Sequence, residues 1–297
     1  MQELKTNVPG VALVLEGGGM RAAHTAGIVA ALIEHEVWFP YVCGLSAGAS
    51  NTVNYLSRDA ERTRRSFVEI ADTPGFGGVS SLAHGHGFFN ADYLYEGAIQ
   101  DGSLPFDWDT FCGNPARMRI QSFERDTGRT VTWTNDDMAS PVDMASRVRA
   151  SSTMPFMMNP IEMDGHVMLD GGLGTDAGIP LHMAEEDGYE RFVFVATRVS
   201  GYRKTPMRRG MRGLMRRLCA GQPHLFEALE TRAERYNAAI EHVEELEREG
   251  RLLLISPETM PIKNTEIHVD RLATTFKQGH ELAEREMDRW LDWLAQS

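Results

Sequence analysis

The feature that most constrains the fold is a strand, a glycine loop, a helix and a second strand within the first fifth of the chain. Residues 11–15 are uniformly apolar, which is typical of a strand buried on both faces of a parallel sheet. Glycines 17–19 close this strand, and residues 21–36 carry apolar side chains at helical spacing. A second apolar segment at 41–43 is followed by another helical pattern. This order predicts an α/β protein that begins with a βαβα unit.

The remaining sequence predicts further strands and helices that complete such a sheet. Ser140 at a helix cap, with proline next, predicts a helix to about Ser151. Residues 73–90 are crowded with glycine, proline, serine and histidine, so we expect an irregular segment, and the sequence leaves open whether it is a lid over the site. The other predicted elements are a hairpin at 117–123 and 130–133, strands at 166–169, 192–196 and 252–255, and helices at 180–187, 223–249 and 269–295.

Composition excludes several classes of protein. The formal net charge of -12 argues against a nucleic-acid partner, because phosphate binding needs a dominant basic field. Cys43, Cys112 and Cys219 are odd in number and far apart, which argues against a disulfide framework or a thiolate metal site and favours the reducing cytoplasm. Residues 1–10 lack the apolar core of a signal peptide, and no later segment has 18 consecutive apolar residues. We therefore expect a soluble, cytoplasmic chain.

The segment Gly44-Leu45-Ser46-Ala47-Gly48 matches the G-x-S-x-G pattern of a nucleophile elbow. In that turn the glycines permit a strained passage from strand to helix, and the serine hydroxyl projects clear of the backbone. The predicted strand before Ser46 and helix after it provide the required context. The alternative interpretation is a turn of small residues with no chemical role.

The loop Gly17-Gly18-Gly19 lies at the end of the first strand and at the start of a helix, where backbone amides and the helix dipole favour an anion. That anion is a phosphate, a dinucleotide pyrophosphate or the oxyanion of an acyl-transfer intermediate. If the first two strands are neighbours, the amides of Gly18 and Gly19 face a carbonyl attacked by Ser46, as an oxyanion hole requires. A loose G-x-G-x-x-A match ending at Ala22 leaves a nucleotide-binding oxidoreductase as an alternative.

A third candidate segment is Asp170-Gly171-Gly172, an acid at a strand end followed by two glycines. If its strand joins the same parallel sheet, Asp170 lies at the carboxyl edge, where α/β proteins build their sites. The alternative is an ordinary Asp-Gly turn. A serine hydrolase of the triad type would also need a histidine, but no histidine downstream has a comparable loop context. Those histidines are His182, His224, His242, His268 and His280.

These three motifs, in this order, resemble those of the patatin-like phospholipases, and the resemblance covers about residues 10 to 200. It implies a Ser46–Asp170 dyad without histidine, an oxyanion hole at Gly17–Gly19, and neither metal nor cofactor. The basic residue of the loop is present as Arg21, with an implied role in supporting the loop or the substrate. Ala22 replaces the glycine that usually follows it.

The resemblance also implies a three-layer α/β/α sandwich with a mainly parallel central sheet. We predict a patatin-like catalytic core at residues 8–200. Residues 201–297 are then a C-terminal helical extension with one further strand, packed on the same domain. The sequence carries no signal for the oligomeric state.

A basic segment at 203–217 stands out in an otherwise acidic chain. It alternates arginine and lysine with methionine and leucine at helical spacing, so it predicts peripheral contact with an anionic membrane. Two alternatives are a helix packed on the core with a solvated arginine face, and pairing with the protein's own acidic helices, such as 241–249.

The predicted function is hydrolysis of carboxylic esters of lipids, such as phospholipid or lysophospholipid acyl chains, through an acyl-Ser46 intermediate. Two alternatives remain open. One is a patatin-like regulatory or lipid-binding protein with little or no turnover, and the other is the oxidoreductase, which would leave Ser46 and Asp170 unexplained.

Overall fold

The structure, a computed structural model, describes residues 4–296. Residues 1–3 of the predicted N-terminal segment and Ser297 of the predicted extension lie outside the described residues. The strands are β1 (Val11–Leu15), β2 (Tyr41–Leu45), β3 (Arg117–Glu124), β4 (Thr130–Thr134), β5 (Ile161–Met163), β6 (His166–Asp170), β7 (Arg191–Val195) and β8 (Leu252–Ile255).

Eleven α-helices are assigned among these described residues. They are α1 (Ala23–Glu34), α2 (Ala47–Leu56), α3 (Ala60–Arg65), α4 (Val79–Ala83), α5 (Ala98–Gln100), α6 (Trp108–Gly113), α7 (Pro141–Ser152), α8 (Leu181–Glu186), α9 (Arg209–Leu218), α10 (Pro223–Arg248) and α11 (Val269–Leu294). Short 3-10 turns at Gly19–Ala22 and Gly171–Leu173 follow β1 and β6, and a π-helical turn spans Tyr93–Gly97.

One eight-stranded sheet forms the centre of the molecule, in the order β5-β6-β3-β2-β1-β7-β8, with β4 paired to β3. The five strands β3, β2, β1, β7 and β8 are parallel. In this register Leu15 of β1 is opposite Gly44 of β2, and Leu45 is opposite Gln121 of β3. The carboxyl ends of the first two strands therefore lie side by side, as the predicted βαβα unit requires.

The two faces of the sheet are covered by different helices. Along β1, side chains alternate between the faces. Leu13 packs in the core cluster that includes residues of α1 and α11, and Val14 packs in the cluster that includes residues of α8 and α10. Every residue of the strand is buried, which is the reason for its continuous apolar sequence. The predicted three-layer α/β/α sandwich with a mainly parallel sheet is confirmed.

The strand that ends at Asp170 runs in the opposite direction from the one we expected. β6 is antiparallel to β3, with Asp170 opposite Ser122 and Met168 opposite Glu124. It forms a hairpin with β5 through a tight turn at 164–165. Because β6 runs back along β3 from beyond the carboxyl end of that strand, Asp170 still finishes at the level of the end of β2.

The C-terminal part of the chain is built into the same sheet and layers. β8 pairs in parallel with β7, and α11 crosses α1 closely. At the crossing, a Cβ on Gly279 would lie 2.0 Å from the carbonyl oxygen of His24, so only glycine allows this approach. Among residues 4–296, no helix is both long and apolar enough for a membrane crossing.

Candidate active site

Ser46 stands at a sharp turn between β2 and α2. Its backbone has φ 53° and ψ −128°, a conformation that residues with a side chain rarely adopt. The glycines of the motif make the turn possible, since a Cβ on Gly48 would lie 2.2 Å from the carbonyl oxygen of Leu15, and one on Gly44 would lie 2.4 Å from that of Gly48. The amide of Ser46 donates to Ser151 Oγ at 2.8 Å. The motif thus has the strained strand-to-helix geometry of an elbow.

Asp170 is hydrogen-bonded directly to this serine. Ser46 Oγ donates to Asp170 Oδ2 at 2.7 Å, and the amide of Gly172 donates to Asp170 Oδ1 at 2.7 Å. The carbonyl of Gly171 in turn accepts from Gln121 Nε2 at 2.9 Å. Both side chains are buried, with 5% of Ser46 and 6% of Asp170 exposed. The carboxylate is therefore fixed in the orientation that a base acting on Ser46 needs.

Burial raises the pKa of the Asp170 carboxyl above its ordinary value. The guanidinium of Arg232 is the largest opposing influence, followed by the hydrogen bonds from Ser46 and from the Gly172 amide. A raised pKa makes Asp170 a stronger base than an exposed aspartate, while the nearby positive charge favours its ionised form.

Two arginines of α10 hold the turn that follows Asp170. Arg232 Nε donates to the carbonyl of Gly172 at 2.9 Å, and Arg235 donates to the carbonyls of Leu173 at 3.0 Å and Thr175 at 2.9 Å. They satisfy backbone acceptors that the short turn leaves unpaired. Sequence reasoning missed both residues, and their signal was weak: two arginines three positions apart on an otherwise amphipathic helix.

The glycine loop beside Ser46 provides two free amides rather than three. The amide of Gly17 donates to the carbonyl of Gly178 at 3.0 Å, so the expectation that Gly17 holds an oxyanion through its amide is wrong. The amides of Gly18 and Gly19 donate to no acceptor among the described residues. Gly19 has φ +55°, and the amide of the next residue, Met20, donates to the carbonyl of Asn264 at 3.0 Å. The two amides left free are those of Gly18 and Gly19, for which an oxyanion hole stays a prediction.

Arg21 is buried, with 8% of the residue exposed, and its guanidinium donates to no acceptor among the described residues. Burial and the nearby Arg198 lower its pKa to about 10, and Glu16 partly offsets them. The predicted roles of Arg21 were support of the loop and support of the substrate. No hydrogen bond from Arg21 to the loop is present among the described residues. The side chain faces the cavity that Ser46 and Asp170 also line.

Two pockets meet at Ser46, and they differ in chemistry. The first, here called the apolar pocket, extends from Ser46 between the helices α2 and α7 and the segment 73–90. Its wall is mostly hydrophobic and includes Val53, Phe67, Phe76, Phe89, Leu94 and Val148. It suits a fatty acyl chain, because apolar surface is driven out of water.

The second cavity, of about 330 Å³, lies on the side of Asp170 and the glycine loop. Four cationic side chains line it together with Glu16, and we call these four residues the basic pocket: Arg21, Arg198, Lys204 and Arg232. Ser46 lines both cavities, so a molecule with one apolar and one polar half could span the two.

The patatin-like phospholipase family model matches residues 13–184, which is more than half of the 297 residues. The chain belongs to the patatin-like phospholipase family. The matched region contains the glycine loop, the elbow and the Asp170 turn. A second model, a domain of unknown function (DUF6363), matches residues 222–295, which include α10 and α11.

Two individual proteins are similar to this patatin-like chain. An uncharacterised protein, YjjU of Escherichia coli (strain K12), is 28% identical over 207 residues, or 66% of this chain and 54% of that protein. The chain thus spans about half the length of this relative. The crystal structure of VipD from Legionella pneumophila aligns over 94% of this chain and 66% of that one, with 14% identity and a TM-score of 0.48.

Among residues 4–296 of this patatin-like chain, no histidine lines either pocket at Ser46. His224 lies against Gly128. The other four candidates each bind a carboxylate at 2.6 to 2.7 Å: His182 with Asp176, His242 with Glu185, His268 with Glu266, and His280 with Glu34.

The segment 73–90, whose role as a lid the sequence left open, forms part of the wall of the apolar pocket. Phe76 and Phe89 pack edge to face with ring centres 5.4 Å apart, and both line that pocket. A backbone bridge joins Gly77 to Phe89. The segment therefore covers one end of the apolar pocket.

The basic segment 203–217 is only partly helical. Helix α9 has no buried residue, and Met211, Leu214 and Leu218 are each about half exposed. Arg203 binds Glu244 of α10 at 2.6 Å, which is one of the alternatives that the sequence left open.

Proposed function

We propose that this protein is a serine acyl hydrolase that cleaves carboxylic esters of lipids, with Ser46 as nucleophile and Asp170 as base. The observation that carries the proposal is the 2.7 Å hydrogen bond from Ser46 Oγ to Asp170 Oδ2 at a strained strand-to-helix turn. The patatin-like phospholipase family is one of lipid acyl hydrolases. The dyad and the substrate are our inference for this chain.

In the acylation step, Asp170 takes the hydroxyl proton of Ser46 as Oγ forms a bond to the ester carbonyl carbon. The carbonyl oxygen becomes an oxyanion, which the amides of Gly18 and Gly19 are free to bind. Collapse of this intermediate breaks the bond to the alcohol oxygen, and Asp170 returns the proton to that oxygen. The alcohol leaves and the acyl group remains on Ser46.

In the deacylation step, a water molecule takes the place of the alcohol. Asp170 accepts its proton while the water oxygen attacks the acyl carbon, and the proton then passes to Ser46 Oγ as that bond breaks. The fatty acid is released and both side chains regain their starting state. The hydrophobic wall of the apolar pocket supports our assignment of the acyl chain to that cavity.

Turnover of a lysophospholipid and a diacyl phospholipid, followed by fatty-acid release, tests the proposal. We expect activity in the wild-type protein and a loss of at least about a thousandfold in Ser46→Ala and Asp170→Asn, because each removes one half of the dyad. Arg248→Gln, an exposed change on α10, is the control and should retain activity. A folded wild-type protein that releases no fatty acid would instead favour the regulatory, lipid-binding alternative.

We also propose that α9 brings the protein to anionic membranes. Its half-exposed Met211, Leu214 and Leu218 provide an apolar contact, and its arginines are attracted to acidic lipids by about 1 kcal/mol each. Met215 of the same helix lines the cavity beside Asp170, so docking through α9 would bring the site near the lipid surface.

Co-sedimentation with vesicles that contain phosphatidylserine tests this docking. We expect binding by the wild-type protein, weaker binding to phosphatidylcholine vesicles, and loss of binding when Arg208, Arg209, Arg216 and Arg217 are changed to Gln. Binding that is unchanged in this variant would rule out docking through α9. The proposed location is the cytoplasm, with peripheral contact at the membrane, because Cys43, Cys112 and Cys219 are all free thiols.

A further inference from the structure

The four cationic side chains of the basic pocket share their cavity with two carboxylates, those of Glu16 and Asp170. No carboxylate among residues 4–296 forms an ion pair with any of these four cations: Arg21, Arg198, Lys204 and Arg232. Glu16, the residue after β1, already accepts hydrogen bonds from Thr197 and, at 2.8 Å, from the hydroxyl of Tyr236. The cavity therefore has an excess of cationic groups over acceptors.

The contacts of the four side chains leave most of their donors unused. Arg21 and Arg198 donate to no acceptor among the described residues, and Arg198 lies over the ring of Tyr202 at 4.3 Å. Lys204 donates to the carbonyl of Ala177 at 2.9 Å and has two further donors. Unused charged donors at the wall of a cavity are the groups that bind an anionic ligand.

Burial and mutual repulsion act together on the pKa values of two of these groups. Burial, together with Arg232, Arg21 and Arg198, lowers the pKa of Lys204 to about 6. Burial and Arg198 also lower the pKa of Arg21 to about 10. Cations that destabilise one another in a protein interior are retained where an anion compensates them, and such perturbed groups cluster at functional sites.

The position of the basic pocket relative to Ser46 indicates which half of a substrate reaches it. Ser46 and Asp170 line the same cavity as the four cations, and the apolar pocket opens on the other side of Ser46. An ester with its acyl chain in the apolar pocket must direct its alcohol half into the cavity of about 330 Å³. That cavity has room for a small polar group beside the cleaved bond.

We propose that the basic pocket is an anion subsite that binds a phosphate carried by the alcohol half of the ester, a role that rests on the hydrolase function proposed above. A phosphate monoester suits it, because several oxygens can each accept from a different donor. Its negative charge beside Lys204 would also raise the pKa of that amine and so keep it charged. Neutral glycerides lack this group. The enzyme then prefers acyl esters of glycerol phosphate to acyl esters of glycerol.

The test compares two monomeric substrates with the same short acyl chain, 1-acylglycerol 3-phosphate and 1-acylglycerol. The wild-type protein should have the higher kcat/KM for the phosphate ester. In the double variant Arg198→Gln/Lys204→Gln, the ratio of the two kcat/KM values should fall about a hundredfold, about tenfold for each lost charge-assisted hydrogen bond. The control Arg248→Gln/Lys277→Gln removes one arginine and one lysine from exposed helix positions and should keep the wild-type ratio.

A binding measurement separates this proposal from the hydrolase function itself. Calorimetry on Ser46→Ala should detect binding of glycerol 3-phosphate but not of glycerol. When Arg198→Gln and Lys204→Gln are combined with Ser46→Ala, the Kd for glycerol 3-phosphate should rise about a hundredfold. This holds even if no ester is turned over. If the double variant fails to fold, Arg198→Gln alone replaces it, since its guanidinium makes no hydrogen bond within the described residues, with an expected loss of about tenfold.

Three results would overturn the proposal. One is a substrate ratio that is the same in the wild-type protein and the double variant. Another is glycerol 3-phosphate binding that survives both substitutions. The third is binding of inorganic phosphate with no preference between the two esters, which would assign the pocket to a free anion rather than to the substrate.

Discussion

The carboxyl group of Asp170 experiences two opposing influences from its neighbours. Burial raises its pKa, and the guanidinium of Arg232 limits the rise. An ordinary aspartate has a pKa near 3.9 and is a weak base at neutral pH. A raised pKa improves the base, but only if the group remains ionised at the working pH. Arg232, which also holds the Gly172 carbonyl, is therefore a positioning and electrostatic partner of the dyad.

The first prediction concerns the acidic limb of the pH profile. In the proposed mechanism Asp170 acts in its ionised form, so kcat/KM should fall as the pH is lowered through its pKa. Arg232→Met removes the main influence that lowers this pKa, so the limb should move to higher pH, with about a tenfold loss of activity on that limb. A profile of kcat/KM against pH measures it, with Arg248→Met as a control on the same helix. A limb that stays in place, or that moves to lower pH, would contradict this role.

The second prediction concerns the strain at Ser46. Its positive φ costs a residue with a Cβ about 1–3 kcal/mol, while glycine adopts this conformation freely. Both Ser46→Gly and Ser46→Ala remove the nucleophile, but only glycine relieves the backbone. Glycine also makes the unfolded chain more flexible, which offsets part of this gain. We therefore expect the free energy of unfolding of Ser46→Gly to exceed that of Ser46→Ala by about 1 kcal/mol. Urea unfolding of both variants measures the difference, and an equal or greater stability of Ser46→Ala would show that the turn is unstrained.

At the scale of elements, the crossing of α1 and α11 depends on the absence of side chains. A Cβ on Gly279 would lie 2.0 Å from the carbonyl oxygen of His24, and one on Gly27 would lie 2.1 Å from that of Phe276. Backbone atoms cannot move aside as a flexible side chain can. The two helices must therefore separate if either position gains a methyl group.

The third prediction compares two Gly→Ala changes in helices. Gly279→Ala should destabilise the fold by about 3 kcal/mol, because it overpacks the crossing. Gly213→Ala in α9 has nothing within 4 Å of the new Cβ and should stabilise the fold by about 0.5–1 kcal/mol through helix propensity. Thermal and urea unfolding report both changes. Similar effects of the two substitutions would show that the crossing tolerates a side chain.

The strands and helices that surround Ser46 could be predicted because local sequence determines them. The uniform apolar run of β1 reflects burial on both faces, and the cap at Ser140 accepts from the Asp143 amide at 3.1 Å as expected. The direction of β6 could not be predicted, because a short apolar strand has the same pattern in either orientation. Arg232 was missed for a related reason. Helical periodicity shows which face of α10 is buried, but it does not show that this face packs against the turn after Asp170.

At the scale of the whole molecule, the chain beyond the patatin match completes the sheet and the candidate site. β8 extends the sheet, α10 supplies Arg232 beside Asp170, and the carbonyl of Asn264 accepts from the Met20 amide in the glycine loop. The segment matched by the domain of unknown function, residues 222–295, therefore contacts the site from two directions. A core that ended at residue 200 would lose these contacts.

The fourth prediction is that the two parts of the chain unfold together. Native-state hydrogen exchange should give amides of β1 and β8 the same free energy of opening, because both strands belong to one continuous parallel sheet. The surface helix α9, which has no buried residue, should exchange at much lower free energy and serves as the internal reference. If β8 and α11 opened well before β1, the C-terminal part would be a separate unit.

The central claim is that Asp170 activates Ser46 as a nucleophile. The most direct measurement is covalent labelling with a fluorophosphonate probe, with the modified residue located by peptide mass spectrometry. We expect the label on Ser46 in the wild-type protein, and loss of nearly all labelling in a folded Asp170→Asn variant that retains the same unfolding transition. A label on another serine, or a label on Ser46 at the same rate in Asp170→Asn, would contradict the dyad.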